Sequence, residues 1–350
     1  MLRSLVGSEM CIRDRSMNYL GVDIGGMSIK AGIIREDGSI LRRDAVPTEV
    51  GKGDQIDILR RCIELCKRLV SEEQLSLDDI AAVGVGSPGT PDVARGILIY
   101  AGNLNFRNCP IREILSEALR LPVFLANDAN VAALAESRIG AGRGCKSSVT
   151  ITIGTGLGGG VVLNDRVYAG FNGAGCEIGH MVIHTGGRPC TCGRKGCLEA
   201  YVAAPALISR TVEAAEAHPD SMLAALIRRE GKVTGKTLFD GAKTGCPTAV
   251  NLLNDYLDDF AEGLGNVINL YLPEKIILGG GVSKQGESFR AELEKRVLEK
   301  SFIIGSLPTT QLALAELGNE AGIVGAGFYA KDCLEDDTES GHEGKNPCAI

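Results

Sequence analysis

A strand–glycine turn–strand pattern occurs twice in this chain and constrains its fold more than any other feature. The first copy lies in YLGVDIGGMSIKAGIIRE, which starts at Tyr19, and the second in SSVTITIGTGLGGGVVL, which starts at Ser147. Aligning Asp23 with Thr152 gives an offset of 152 − 23 = 129 residues. Two apolar hairpins with glycine turns, this far apart in a chain of 350 residues, indicate a duplicated domain.

Helical and strand-like segments alternate through the rest of the chain. Apolar residues recur at helical spacing over residues 54–71, 248–272 and 286–300. Short apolar runs that end in turn residues, such as IAAVGVGSPG and KIILGGGVS, are typical of buried strands that lead into loops. Strands that alternate with helices predict an α/β architecture.

Four segments are expected from the sequence. The predicted N-terminal α/β domain covers residues 17–126 and includes a closing helix at about 317–331, and the predicted C-terminal domain covers residues 127–316. Residues 1–16 fit neither domain and are expected to be a non-native extension. Residues 332–350 are polar and charged, which predicts a disordered tail.

Charge and cysteine content narrow the class of protein. The net charge is −7 and no basic stripe is present, so a nucleic-acid partner is not expected. No run of about 18 apolar residues is present, so no membrane partner is expected either. The chain has 12 cysteines but no convincing secretory signal. We therefore expect a cytoplasmic protein, in which clustered cysteines favour metal binding over disulfides.

Three glycine turns follow strands, at Gly25-Gly26, at Gly154 to Gly160 and at Gly279 to Gly281. Glycine lets backbone N–H groups converge on an anion, although each turn alone is equally well explained as a tight hairpin. The G-x-G-x-x-G spacing in the second turn precedes a strand rather than a helix, which excludes a dinucleotide fingerprint. Together the turns favour a nucleotide phosphate site, with Ser28 and Thr155 offering hydroxyls and Asp23 as an outer-shell partner for Mg²⁺.

Asn127 and Asp128 follow a predicted strand and precede a predicted helix. At such a position Asp128 is most simply a helix cap. The alternative is a general base that takes the proton of a sugar hydroxyl as that hydroxyl attacks phosphorus. Asn127 both donates and accepts hydrogen bonds, which suits a polyol. Sequence spacing does not decide between cap and base.

The run CTCGRKGC places Cys190, Cys192 and Cys197 around a glycine-rich turn, with His180 ten residues before the first of them. Zinc takes four thiolate and imidazole ligands, so these residues predict a closed, structural Cys₃His site for Zn²⁺. Chance clustering, a disulfide between two of the cysteines, and His184 as a rival ligand are the alternatives. A histidine that binds metal through one ring nitrogen presents the other as a fixed donor.

Glu177 and Glu199 flank this cluster on both sides. A solvated surface charge is the simplest interpretation of either residue alone. Their positions beside a metal-held histidine favour a second interpretation, in which two carboxylates and an imidazole N–H bind vicinal hydroxyls.

Five motifs, from about residue 18 to residue 330 and in the expected order, resemble the ROK family of sugar kinases and sugar-responsive repressors. These motifs are DIGG (23–26), ND (127–128), GTGLGGG (154–160), EIGH (177–180) and CTCGRKGCLE (190–199). The resemblance implies an actin/hexokinase-like (ribonuclease H-like) fold, with two duplicated α/β domains and an interdomain cleft. It also implies a homodimer.

The resemblance assigns roles to individual residues. It implies that Asp128 is the catalytic base. It implies sugar contacts from Asn103, Asn127, Glu177, His180 and Glu199, and structural zinc at His180, Cys190, Cys192 and Cys197. It implies that ATP binds at the two glycine hairpins, through Asp23, Gly25, Gly26, Ser28, Lys30, Gly154, Thr155 and Gly156, with the nucleoside near Gly280 and Gly281.

The expected activity is ATP-dependent phosphorylation of a hexose, with glucose as the first choice. Kinases for N-acetylmannosamine, N-acetylglucosamine or fructose share these motifs, and a non-catalytic sugar sensor is the alternative from another class. Residues 1–17 precede the first strand and are too few for the helix-turn-helix domain of the family's repressors. Met27 departs from the D-I-G-G-T often seen in the family, which removes a hydroxyl near the phosphates and leaves Ser28 as its nearest replacement.

Overall fold

The computed structural model describes residues 17–303 and 305–340, with the side chains of residues 339 and 340 left out. The strands are β1 (Asn18–Ile24), β2 (Ser28–Arg35), β3 (Ile40–Pro47), β4 (Ile80–Ser87), β5 (Thr90–Asp92), β6 (Ile97–Ala101), β7 (Phe106–Cys109), β8 (Val123–Asn127), β9 (Ser147–Ile153), β10 (Leu157–Leu163), β11 (Arg166–Tyr168), β12 (Lys275–Gly280) and β13 (Gln311–Leu314). The helices are α1 (Gln55–Glu72), α2 (Ile111–Leu119), α3 (Asp128–Arg138), α4 (Glu199–Val202), α5 (Ala204–Ala217), α6 (Met222–Glu230), α7 (Thr237–Lys243), α8 (Pro247–Tyr271), α9 (Glu287–Lys300) and α10 (Ala321–Ser340). Among the described helices, none combines the length and the apolar character needed to cross a membrane.

The chain divides into two compact units. The first contains the described residues up to Ala135, the segment Ala169–Ala174 and the described residues from Asn319 onward, and the second contains Glu136–Tyr168 and Gly175–Gly318. The sequence placed the boundary at residue 126 and so assigned Asp128 to the second domain. That assignment is corrected, because β8 pairs with β4 of the first unit and Asp128 starts the helix that follows directly.

The closing helix is also longer than expected. We predicted a disordered tail from residue 332, but α10 continues to Ser340, so the prediction is wrong for residues 332–340. Asp332 and Cys333 are buried, which shows that the inward face of the helix extends into this polar segment. The expectations for residues 1–16 and 341–350 lie outside the described residues.

The first unit is built on a five-stranded mixed sheet with strand order β3-β2-β1-β4-β8. The pairs β1–β2 and β2–β3 are antiparallel, whereas β1–β4 and β4–β8 are parallel. Helix α10 packs against β1 and β4 so closely that a Cβ at Gly21 or Gly84 would overlap its backbone carbonyls. Helices α1 and α2 share an apolar core with Leu20, Val22 and Ile24 of β1. A small antiparallel sheet, β5-β6-β7, adjoins β8.

The second unit repeats this plan with strand order β11-β10-β9-β12-β13. Here β11–β10 and β10–β9 are antiparallel, and β9–β12 and β12–β13 are parallel. Strand β9 starts and ends 129 residues after β1 (147 − 18 and 153 − 24), as the sequence repeat predicts. The core of this unit joins the sheet to the long helix α8, through residues such as Tyr256, Phe260 and Leu264.

Candidate active site

The first phosphate hairpin is the turn between β1 and β2 in the first unit. Its closing strand pair is Ile24–Ile29, and the Gly25 N–H donates to the Ser28 carbonyl at 3.0 Å. Thr48 is fully buried behind the turn. Its hydroxyl donates to the Gly25 carbonyl at 2.6 Å, and its N–H donates to the Met27 carbonyl at 3.1 Å. Two carbonyls of the turn are thus held from behind by one residue that the sequence did not single out.

Asp23 and Lys30 face each other across this hairpin. They are strand partners, and the Lys30 Nζ lies 3.6 Å from the Asp23 Oδ2. Burial raises the pKa of the Asp23 carboxyl, and the neighbouring Lys30 ammonium partly opposes that rise. The Met27 side chain at the tip of the turn is 91% exposed, so it contributes nothing to the packing of the hairpin.

Asn127 and Asp128 lie where β8 meets α3, as predicted. The Asn127 Oδ1 accepts from the Ala129 N–H at 2.9 Å, and its Nδ2 donates to the Gly89 carbonyl at 3.1 Å. Asn127 therefore caps the helix, a role that the sequence considered for Asp128. The Asp128 Oδ1 also lies 2.9 Å from the Ala129 N–H, and the positive end of the helix stabilises negative charge at this half-buried position.

Asn103 lies close to the first phosphate hairpin. It is exposed in a short 3-10 helix, Gly102–Leu104. A Cβ added at Gly26 would lie 3.8 Å from the Asn103 Nδ2. The first unit therefore places one predicted sugar ligand beside one predicted phosphate turn.

The second phosphate hairpin is the turn between β9 and β10 in the second unit. It closes at the pair Ile153–Leu157, and the Gly154 N–H donates to the Gly156 carbonyl at 2.9 Å. The Glu199 Oε2 accepts from the Leu157 N–H at 2.9 Å. Thr155, at the tip of this turn, is exposed.

The third glycine turn lies beside the second hairpin. Gly280 pairs with Ile153 at the ends of β12 and β9. Its φ of +79° and its contact with the Ile153 carbonyl leave no room for a side chain. Gly281 follows at once in a short 3-10 helix, so both predicted nucleoside contacts adjoin the second hairpin.

His180, Cys190, Cys192 and Cys197 form a cluster whose ligand atoms all lie within 4.8 Å of one another. The Cys192 and Cys197 Sγ atoms are 3.7 Å apart, and the Cys190 Sγ is 3.5 Å from the His180 Nδ1. Tetrahedral zinc with Zn–S bonds of about 2.3 Å requires sulfurs about 3.8 Å apart, so these residues fit zinc. The Nδ1 faces the sulfurs, which leaves the Nε2 of His180 available for another partner.

The turn that carries the cysteines is tied to helix α8. The His184 Nε2 lies 2.7 Å from the Asp259 Oδ1, and Arg210 donates to the Asp259 Oδ2 at 2.7 Å. The ligand atoms that converge in the cluster belong to His180 and the three cysteines and do not include His184, which decides against it as the rival metal ligand. The Tyr201 hydroxyl accepts from the Arg188 N–H at 2.8 Å and supports the same segment. No local sequence pattern predicts these supporting contacts.

Glu177 and Glu199 are brought together with His180, as predicted. Glu177 directly precedes the 3-10 helix Ile178–His180. Desolvation raises the pKa of the Glu177 carboxyl, His180 lowers it, and the nearby Glu199 carboxylate raises it. The Glu199 Oε1 accepts from the Thr191 hydroxyl at 3.0 Å. Each carboxylate oxygen has a second lone pair, so Glu199 retains capacity for a ligand hydroxyl.

The predicted residues therefore form two sets. The first unit holds one phosphate hairpin, Asn103, Asn127 and Asp128. The second unit holds the other hairpin, the third glycine turn, the two glutamates and the His/Cys cluster.

Comparison with known proteins identifies the family. A sequence profile described as "ROK family" matches residues 19–333. A glucokinase of Halalkalibacterium halodurans is 36% identical over 330 residues, which cover 93% of this chain and 98% of that relative. The crystal structure of a ROK hexokinase from Thermus thermophilus superposes with a TM-score of 0.78 at 34% identity, covering 91% of this chain and 100% of that one.

A ROK family glucokinase from Streptomyces griseus, solved in complex with glucose and AMPPNP, has a TM-score of 0.73 at 33% identity and covers 90% of this chain and 99% of that one. These matches confirm the predicted resemblance and, with it, the actin/hexokinase-like two-domain fold. The chain is a member of the ROK family.

Proposed function

We propose that this protein is an ATP-dependent sugar kinase that phosphorylates glucose to glucose 6-phosphate. The observation that carries the proposal is that each unit holds a phosphate-type glycine hairpin together with polar groups suited to a polyol, amide and carboxylate groups in the first unit and carboxylate and imidazole groups in the second. The similarity to glucokinases over nearly the whole chain supports ATP and glucose as the substrates.

Asp128 acts as the general base in this proposal. It accepts the proton of the attacking sugar hydroxyl while that oxygen forms a bond to the γ-phosphorus of ATP and the bond to the bridging oxygen of ADP breaks. Its place at the start of α3 keeps the carboxylate oriented. The sugar is held by Asn103, Asn127, Glu177, His180 and Glu199.

The two hairpins bind the phosphates of ATP. In the first, Gly26 and Ser28 offer backbone N–H groups, Gly25 permits close approach to the turn that its own N–H closes, and Lys30 adds positive charge. In the second, Thr155 and Gly156 offer N–H groups and Gly154, whose N–H closes that turn, permits the approach, while Gly280 and Gly281 lie against the nucleoside. Mg²⁺ neutralises phosphate charge when bound, and the Asp23 carboxylate, which can only accept hydrogen bonds when ionised, suits the hydration shell of that ion.

His180, Cys190, Cys192 and Cys197 would hold a structural zinc ion. With four protein ligands the ion would supply rigidity rather than chemistry, because no coordination position would be left for water or substrate. With the Nδ1 of His180 facing the sulfurs, its Nε2 carries the proton and donates to a sugar hydroxyl. We also infer from the family resemblance that the protein is a homodimer, and from its cysteine content that it is cytoplasmic. Light scattering during gel filtration tests the homodimer.

Release of ADP from Mg·ATP, measured against glucose, mannose, fructose, N-acetylglucosamine and N-acetylmannosamine, tests the proposal. We expect strong turnover with glucose and background release without sugar. Preference for an N-acetyl sugar would keep the mechanism and overturn the substrate. Sugar binding without turnover on any of the five would overturn the kinase and favour a sensor.

A further inference from the structure

The Glu199 side chain contacts two separate parts of the second unit. Its Oε2 accepts from the N–H of Leu157, the first residue of β10, at 2.9 Å. Its Oε1 accepts from the hydroxyl of Thr191 at 3.0 Å. A Cβ at Gly156 would lie 2.8 Å from the same Oε2, so glycine at that position permits the approach of the carboxylate. One carboxylate therefore bridges the second phosphate hairpin and the cysteine turn.

Thr191 lies between Cys190 and Cys192, two residues whose sulfurs face the proposed metal position. A bound ion fixes the backbone on both sides of Thr191 and so fixes its hydroxyl. The Cys190 Sγ also approaches the Glu199 Oε1, at 3.8 Å. At the other end, Leu157 closes a turn made of Gly154, Thr155 and Gly156, two of which are glycines with wide conformational freedom, so the contact from Glu199 adds to the single internal hydrogen bond from Gly154 to Gly156.

We propose that Thr191 is a positioning residue that acts through the Glu199 carboxylate to couple the metal cluster to the second phosphate hairpin, so that metal binding raises the affinity for nucleotide. This inference rests on the proposed function, because it takes the hairpin to be a phosphate site. A turn that is already ordered loses less conformational entropy when the phosphates bind. By linkage, bound nucleotide raises the affinity for the metal by the same factor.

The test compares Thr191→Val, which keeps the shape of the side chain and removes its hydroxyl, with Thr191→Ser, which keeps the hydroxyl. Binding of Mg·AMPPNP to the zinc-loaded protein is measured by calorimetry without sugar. We expect Thr191→Val to weaken binding about 3- to 10-fold, the range of one net hydrogen bond, and Thr191→Ser to stay within about 2-fold of wild type. Zinc content and thermal unfolding verify that both variants are folded and loaded.

Metal removal separates coupling from a local defect. After chelation, wild type and Thr191→Val should bind Mg·AMPPNP with the same reduced affinity. Equal affinities in the zinc-loaded state, or an undiminished difference after chelation, would overturn the coupling. A wild-type protein that binds no Mg·AMPPNP would instead overturn the proposed function.

The reciprocal effect provides a readout independent of nucleotide affinity. Zinc transfer to a chromophoric chelator is followed with and without saturating Mg·AMPPNP. We expect the nucleotide to raise the apparent zinc affinity of wild type about 3- to 10-fold and that of Thr191→Val much less. Equal shifts in the two proteins would contradict a link through the Thr191 hydroxyl.

Discussion

The two phosphate hairpins occupy equivalent places in sheets of the same strand order, but different residues hold them. The first closes at Ile24–Ile29 and is held by the buried, neutral Thr48. The second closes at Ile153–Leu157, is one residue shorter, and is held by the charged Glu199. The backbone plan was kept after duplication while the supporting side chains diverged.

The two supporting side chains connect the hairpins to different parts of the protein. The contact from Thr48 is local and depends only on the fold of the first unit. The contact from Glu199 leads on to Thr191 and the metal cluster. We therefore expect the first hairpin to be rigid in every state of the protein and the second to respond to metal.

The largest contrast is expected at Asp23 and Thr152, which occupy equivalent positions in β1 and β9. Asp23→Asn removes a carboxylate assigned to the hydration shell of Mg²⁺, so turnover should fall about 100-fold. Thr152→Ala should change turnover less than about 2-fold. Steady-state kinetics at saturating glucose measure the turnover of both variants. Comparable losses of turnover would mean that β1 and β9 contribute equally to catalysis.

Asp23→Asn should also stabilise the protein at neutral pH. Burial raises the pKa of Asp23 in the folded state above its unfolded value. The ionised carboxylate therefore destabilises the fold above the folded-state pKa, and this cost disappears below the unfolded value. Thermal unfolding of the ligand-free protein should show a higher Tm for Asp23→Asn at pH 8, with a gain that shrinks as the pH falls. A lower Tm at pH 8 would contradict the burial penalty.

Loss of the metal should affect the second unit through His180. Cys192→Ala removes one ligand, frees the imidazole to rotate, and should weaken glucose binding about 10-fold or more. Cys145→Ala, a free cysteine outside the cluster in the same unit, is the matched control. Calorimetry measures glucose binding, and zinc analysis of the same preparations shows which variant has lost the metal. Unchanged glucose affinity in a zinc-free variant would show that the metal does not orient His180.

Thr48→Val tests the local support of the first hairpin. It leaves the part-buried Gly25 carbonyl without the Thr48 hydroxyl, which should cost about 0.5–1.5 kcal/mol of unfolding free energy, the net value of one hydrogen bond. We also expect the KM for ATP to rise several-fold, with Thr48→Ser close to wild type. Chelation of zinc should leave the Thr48→Val effect unchanged. If the rise in the KM for ATP caused by Thr48→Val disappeared after chelation, the first hairpin would also depend on the metal, and the proposed difference between the hairpins would be wrong.

The smallest effect is expected from Met27→Thr. Because the Met27 side chain projects into solvent, the exchange should not alter stability. A threonine hydroxyl near the phosphates should lower the KM for ATP by about 2- to 3-fold, the low end of one hydrogen bond. A decrease of 100-fold or more in the KM for ATP would mean that Met27 prevents the first hairpin from binding phosphate.

Local patterns made much of the fold predictable. Both hairpins, α1, α8 and α9 follow from apolar periodicity together with turn residues. We predict no element between residues 200 and 243, yet α5, α6 and α7, of 14, 9 and 7 residues, lie there. Pro219, Gly231 and Gly245 divide this stretch into separate pieces, which hides its helices from a search for one long periodic pattern. The strands β5, β6 and β7 are too short to show alternation.

The candidate site divides in the same way. The His/Cys cluster and the two glutamates belong to short motifs, and their convergence is predictable from spacing and chemistry. Other supporting contacts join residues that are far apart in the chain, so no local sequence pattern predicts them. They are made by Thr48, Asp259 and Arg210. Sequence spacing leaves open whether Asp128 is a cap or a base. At the start of α3 both the Asn127 and the Asp128 side chains accept from the Ala129 N–H, and by residue type the two are equally suited to a cap.

Asp128→Asn tests the central claim most directly, because it removes a proton acceptor and keeps the size and polarity of the side chain. Glucose binding is measured by calorimetry and phosphoryl transfer by ADP release on the same preparation. We predict a glucose Kd within about 3-fold of wild type and turnover lower by about 10³- to 10⁴-fold. Retained turnover with intact glucose binding would contradict Asp128 as the base and the mechanism built on it.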